Sequence, residues 1–180
     1  AKKSRQYELL IDNQGLEGTG STRMGLGLTW NDALGQDNTL SVQGIKSKGS
    51  QFLQAAFAWA TGVEGLKLGA RVSDLSYEVS EAVQNATYAG GEAVKKGLFL
   101  AYELVNTPAE YSSIGLRYDT ATLRNNGLGL NESAYYDTRV MGIEFKGFER
   151  EMAPGGAVFT YAARLSKGEV DMTGSPNEAA

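Results

Sequence analysis

The sequence predicts an all-β protein: an antiparallel up-and-down transmembrane β-barrel, or part of one, with about eight to ten strands in the chain. Three observations carry this expectation. Apolar residues recur with a period of two in one segment after another. The 180 residues include 23 Gly and 9 Tyr but only 3 Pro. Nothing has the length and the 3.6-residue repeat of a helix. The longest charge-free stretch, Gly49 to Val63, holds two Gln and falls short of the about 20 apolar residues a membrane-crossing helix needs.

The strands follow in order. Arg5 to Ile11 is a weak candidate. In Thr22 to Trp30, the residues Met24, Leu26, Leu28 and Trp30 fall on one face and Arg23, Gly25, Gly27 and Thr29 on the other. Leu40 to Lys46 is again weak. Leu53, Ala55, Phe57 and Trp59 oppose Gln54, Ala56, Ala58 and Ala60. After the turn-like Thr61 to Gly65, Leu66, Leu68, Ala70 and Val72 oppose Lys67, Gly69, Arg71 and Ser73, which predicts a hairpin. Between Val72 and Leu75 the apolar phase slips by one and continues through Tyr77 and Val79, as a bulge would make it do.

Further strands are expected at Leu98 to Leu104, Ile114 to Thr120, Met141 to Lys146 and Phe159 to Leu165, with room for a tenth between Ala82 and Gly91. The connections at Lys46 to Gly49 and Thr61 to Gly65 are tight, and those at Asn31 to Asn38 and Asn125 to Ala134 are longer. This mixture fits a meander with short turns at one end and long loops at the other. The length fits one domain, 1–180, with a loop-like tail over 171–180. The first residues lack the apolar region of a signal peptide, as expected of a mature chain, an internal fragment or an engineered one.

Composition removes several functions. With 17 Lys and Arg against 21 Asp and Glu, the formal net charge is -4, and no basic stripe forms for phosphate backbones, so no nucleic-acid partner is expected. The sequence has no Cys and no His. Thiol chemistry and every His-based catalytic arrangement are therefore excluded, and no enzyme activity, cofactor or metal site is expected. Asp32 and Asp37 suit a turn better than a divalent cation, which takes several oxygens. Asn85-Ala86-Thr87 and Asn131-Glu132-Ser133 match the glycan acceptor pattern by chance, and Gly25-Leu26-Gly27 and Gly90-Gly91 lack the helix a nucleotide loop needs.

Periodicity alone does not tell a soluble barrel from a membrane one. The polar face favours the membrane: it mixes Gly and Ala with charges of both signs, as a lumen does. The expected lumen-lining residues are Arg23, Lys67, Arg71, Glu103, Arg117, Asp119, Glu144, Lys146 and Arg164. Aromatics near strand ends, Trp30, Tyr77, Tyr111, Tyr135 and Tyr136, are expected to form an interfacial girdle. One alternative is a small closed barrel of about eight to ten strands, its lumen filled by cross-lumen pairs and its first and last strands joined. Another is a soluble ligand-binding barrel with Leu26, Leu28, Phe57, Leu68 and Leu116 inside.

The stretch Leu9-Leu10-Ile11-Asp12-Asn13-Gln14-Gly15, followed by Thr19-Gly20, an alternating strand and Asn31-Asp32-Ala33-Leu34-Gly35-Gln36-Asp37-Asn38, is similar to the first barrel strands of the two-partner secretion transporters (TpsB, Omp85 superfamily). Ala101-Tyr102-Glu103-Leu104 resembles a strand of that family that usually reads Tyr-Pro-Leu, with Glu103 departing from it. The resemblance covers most of the chain through short motifs. Three features of the family are missing from it: the periplasmic polypeptide-binding domains, the plug helix and the Arg-Gly-Phe/Tyr loop. It implies the first part of a roughly sixteen-stranded barrel in the bacterial outer membrane, with lipid or lipopolysaccharide around it. The implied activity is passive export of a secreted exoprotein, and the segment alone is not expected to pass a polypeptide.

Overall fold

The computed structural model describes residues 4–79, 90–126, 133–151, 155–173 and 175. Nine strands form one antiparallel sheet in chain order: β1 (Ser4–Asp12), β2 (Arg23–Asn31), β3 (Thr39–Lys46), β4 (Ser50–Ala60), β5 (Leu66–Glu78), β6 (Gly90–Asn106), β7 (Glu110–Asn126), β8 (Ser133–Arg150) and β9 (Val158–Asp171). Besides one 3-10 turn at Glu17–Thr19, no helix occurs among the described residues. All nine expected strands are present, the two weak ones included. Gly90 and Gly91 open β6, while the remainder of the tenth candidate, 82–89, and the glycan-like Asn85-Ala86-Thr87 lie outside the described residues. So do Asn131 and Glu132 of the second glycan-like pattern, and most of the tail.

The expected bulge after Val72 does not exist. β5 pairs without interruption from Lys67 to Tyr77 with β4 and from Leu66 to Glu78 with β6, so Val72 and Leu75 point to opposite faces of a regular strand. The irregularity falls instead between Glu103 and Val105 of β6. The expected sorting of connections is also only partial. One end of the sheet carries 32–38, 61–65, 107–109 and 151–157, and the other carries 13–22, 47–49, 79–89 and 127–132. The two longest lie together at the second end, but so does the tight 47–49 turn.

Among the described residues the sheet has no second layer, since all substantial contacts between elements join consecutive strands. A flat single sheet would leave both faces equally open. Here Gly25, Gly97 and Gly142 are buried on one face, as are Ser113 and Asp119 at 3% exposure each, while Leu26 at 69%, Met141 at 65% and Leu165 at 76% are exposed on the other. That asymmetry is what a wall curled with its charged face inward produces. No described hydrophobic residue is buried, which inverts the usual arrangement of a water-soluble domain. Of the residues a soluble barrel would place inside, Leu26, Leu68 and Leu116 are exposed and Leu28 and Phe57 half-buried on the open face, so that alternative is overturned. No pairing joins β9 to β1 among the described residues, so the closure required by the small-barrel alternative is absent too.

The apolar face carries an oblique band. Trp30, Leu40, Phe57, Ala70, Leu98, Tyr118, Met141 and Lys167 share one hydrogen-bonded row across β2 to β9. Toward the end with the 61–65 turn, the aromatic edge of the band steps away from this row. Trp30 lies in the row on β2, Trp59 two residues past it on β4, Tyr102 four past on β6 and Tyr161 six past on β9. The polar edge at the other end steps in parallel. Lys46 and Gln51 are six residues short of the row, Asp74 four, Lys96 two, and Lys167 is in it. Both edges drift by about one residue per strand, which at about 3.3 Å per residue and about 4.8 Å between strands is a tilt of about 35°, the tilt of barrel strands in a membrane.

Candidate functional site

The charged face is built by strand parity. The register carries Arg23, Lys67, Arg71, Glu103, Arg117, Asp119, Glu144, Lys146 and Arg164 onto one side of the sheet, opposite the apolar band. Each of the nine is ion-paired. The pairs join side chains on the same strand or no more than two strands apart, so they line the face rather than cross a lumen.

Arg23 lies directly across from Asp12 and donates to its two oxygens from Nε and Nη2, both at 2.9 Å. Lys67 reaches Glu103, whose other oxygen accepts from Asn106 at 3.0 Å. Arg71 spans from β5 over β6 to Asp119 on β7, donating to Oδ1 from Nη2 at 2.6 Å and from Nε at 3.2 Å. Gly97 is the β6 residue between them in register. A side chain there would collide with Asp119 Oδ1 and Arg71 Nε, so glycine is required for the span. Arg117 faces the same carboxylate with Nε 3.3 Å from Oδ2, but those two buried atoms have no hydrogen-bond partner. On β8, Glu144 accepts from Arg164 of β9 and stands 3.1 Å from Lys146.

Two features of this face were not foreseen. Asp12 is the partner of Arg23, and its parity, opposite to Tyr7, Leu9 and Ile11, was the available signal. Toward the 79–89 end the charges give way to an apolar row: Leu10, Ile45, Phe52, Leu75, Leu123 and Tyr136 lie in register across β1 to β8, with Gly25 and Ala93 between them. Leu75 belongs to this row, which is why the apolar phase shifts without a bulge.

The aromatic girdle is corrected in part. Trp30 and Tyr135 lie on the apolar face, where Arg5 stacks on Trp30 and Arg124 approaches Tyr135. Tyr77, Tyr111 and Tyr136 lie on the charged face, Tyr77 donating to Asn125 at 3.2 Å and Tyr111 stacking on Phe148. Parity, not nearness to a strand end, decides which face an aromatic takes. Asp32 accepts from the Asp37 amide at 3.2 Å within the 32–38 turn, and both residues have positive φ. No group of three or more potential metal ligands occurs among the described residues.

A single curled antiparallel meander, charged inside and apolar outside, is the wall of a β-barrel with an inverted face pattern. No protein-family model matches the chain. No curated protein matches it either. Among solved structures, CdiB from Escherichia coli superposes with a TM-score of 0.74 at 16% identity, over 98% of this chain and 33% of CdiB. The two share a fold, and this chain spans about a third of the length of CdiB.

Proposed function

We propose that the chain is part of the wall of an outer-membrane β-barrel that passively exports a secreted exoprotein, as the two-partner secretion transporters do, and that it has no enzyme activity. The observation that carries this reading is the oblique apolar band on the open face. Its parallel edges fit a slab of hydrocarbon crossed by tilted strands. The likeness to CdiB, a two-partner secretion transporter, supports the same assignment. Membrane lipid, lipopolysaccharide included, contacts the apolar face, and the paired charges give the other face the polarity of a wet passage.

Nine strands bend into too small a circle for a polypeptide, and the unpaired edges of β1 and β9 are costly in lipid, where backbone groups find no water. The passage therefore requires further strands between those edges. The test is to compare the 180-residue chain in buffer, in detergent and in lipid vesicles by circular dichroism and size-exclusion chromatography, then to record conductance across a planar bilayer. Folding only in detergent or vesicles, without a stable large conductance, is the expected result. A monodisperse β-rich monomer in plain buffer overturns the reading.

A further inference from the structure

The polar edge of the apolar band carries more cations than acids, Asp74 of β5 being the acid on it. Lys46 on β3, Lys96 on β6 and Lys167 on β9 are the first charged residues met on those strands on leaving the band toward the 79–89 end. All three are exposed, and none is ion-paired with a described residue. Because they follow the one-residue-per-strand drift, they stand at one height around the tilted wall despite lying in three different rows. Arg139 of β8 comes close to the same height but is offset by Glu169 directly opposite. Farther from the band, Glu169 and Asp171 follow Lys167 on β9 and Asp137 follows Arg139 on β8, while β7 carries Arg124 there.

The three lysines thus make a thin ring of net positive charge at the boundary between hydrocarbon and water, interrupted by Asp74 between Lys46 and Lys96 and backed by carboxylates. We infer that this ring binds the phosphate groups of a phosphorylated glycolipid in the outer leaflet. Charge complementarity selects phosphate at that depth, and the flexible lysine stems can keep their methylenes on the apolar band while the ammonium reaches the headgroup. The leaflet follows from the connections, since in outer-membrane barrels the longer loops face outward and the two longest here lie at this end. The inference rests on the membrane reading proposed above. Lys95 supplies an internal control, being one residue from Lys96 on the opposite face.

The test folds the 180-residue chain into phosphatidylcholine vesicles with or without lipid A and maps lysine acylation by peptide mass spectrometry. Lys46, Lys96 and Lys167 are expected to lose reactivity several-fold when lipid A is present, and Lys95 to keep it. Replacing the three together, K46Q/K96Q/K167Q, is expected to weaken lipid A retention by up to about fivefold for each lysine removed. Equal labelling with and without lipid A, or full retention by the triple variant, overturns the ring and leaves the membrane reading intact. A chain that stays folded in buffer and never associates with vesicles overturns both.

Discussion

Two clusters on the charged face have the same composition, two cations around one carboxylate, and different surroundings. In Arg71–Asp119–Arg117 the acid is a short side chain, 4% exposed, reached by an arginine from two strands away over a glycine. In Arg164–Glu144–Lys146 the acid is longer, 22% exposed, and its partners are an adjacent strand's arginine and a lysine two residues along its own strand. The first cluster ties three strands through one desolvated oxygen pair. The second is a surface-like arrangement in which water competes for every group. Stoichiometry alone makes them equivalent, and burial separates them, because Coulomb attraction and desolvation cost both grow as water is excluded.

The largest expected effect follows from removing the buried acid. Asp119→Ala leaves Arg71 and Arg117 facing each other near a site that water reaches poorly. Losing one partner of a buried pair costs about 3–5 kcal/mol, and the partial exposure of both arginines lowers the expectation here to about 2–3 kcal/mol. The loss is to be read as a shift in the urea midpoint of the detergent- or vesicle-folded chain. A shift no larger than that of an exposed pair would remove the distinction between the clusters.

A smaller effect isolates the geometry of the span. Gly97→Ala puts a methyl where Asp119 Oδ1 and Arg71 Nε now meet, so the bridge must move or open. Overpacking of this kind costs about 1–2 kcal/mol. The sharper measurement is the double variant. If the collision with the bridge is the cause, the Gly97→Ala cost falls close to zero once Asp119 is alanine, and the coupling read from the cycle is about 1 kcal/mol. An unchanged cost would assign the penalty to the backbone of β6 alone.

What the sequence makes legible follows from the same distinction between local and non-local causes. Alternation is local, so β2, β5 and β7 announce themselves, and the charged residues sort onto one face by parity without knowledge of any partner. Their ends are less legible because β6 to β9 run beyond the apolar band. There the outward residues turn polar, as at Lys96, Thr120 and Arg139, and the alternation that marks a strand fades. The Val72 to Leu75 slip misleads for a related reason. A change of which face is apolar looks the same in one strand as a bulge, and only the neighbours Phe52 and Leu123 reveal a row. Register is the least accessible property. That Arg71, Gly97 and Asp119 share a row depends on three strands pairing correctly, and no single segment encodes it.

The smallest expected effect tests whether exposure, rather than charge count, explains the contrast. Glu144→Ala removes the acceptor of two cations, as Asp119→Ala does, but both cations remain about half exposed and can be resolvated in place. The cost should stay below about 1 kcal/mol, the usual range for exposed pairs. Salt supplies an independent reading. At about 1 M ionic strength the screening length falls to about 3 Å, so the contribution of Glu144 should fade while that of Asp119, shielded from mobile ions, persists. Equal fading of the two would mean that water and ions reach Asp119 as freely as Glu144, and the tight curl that buries one and leaves the other open would have to be abandoned.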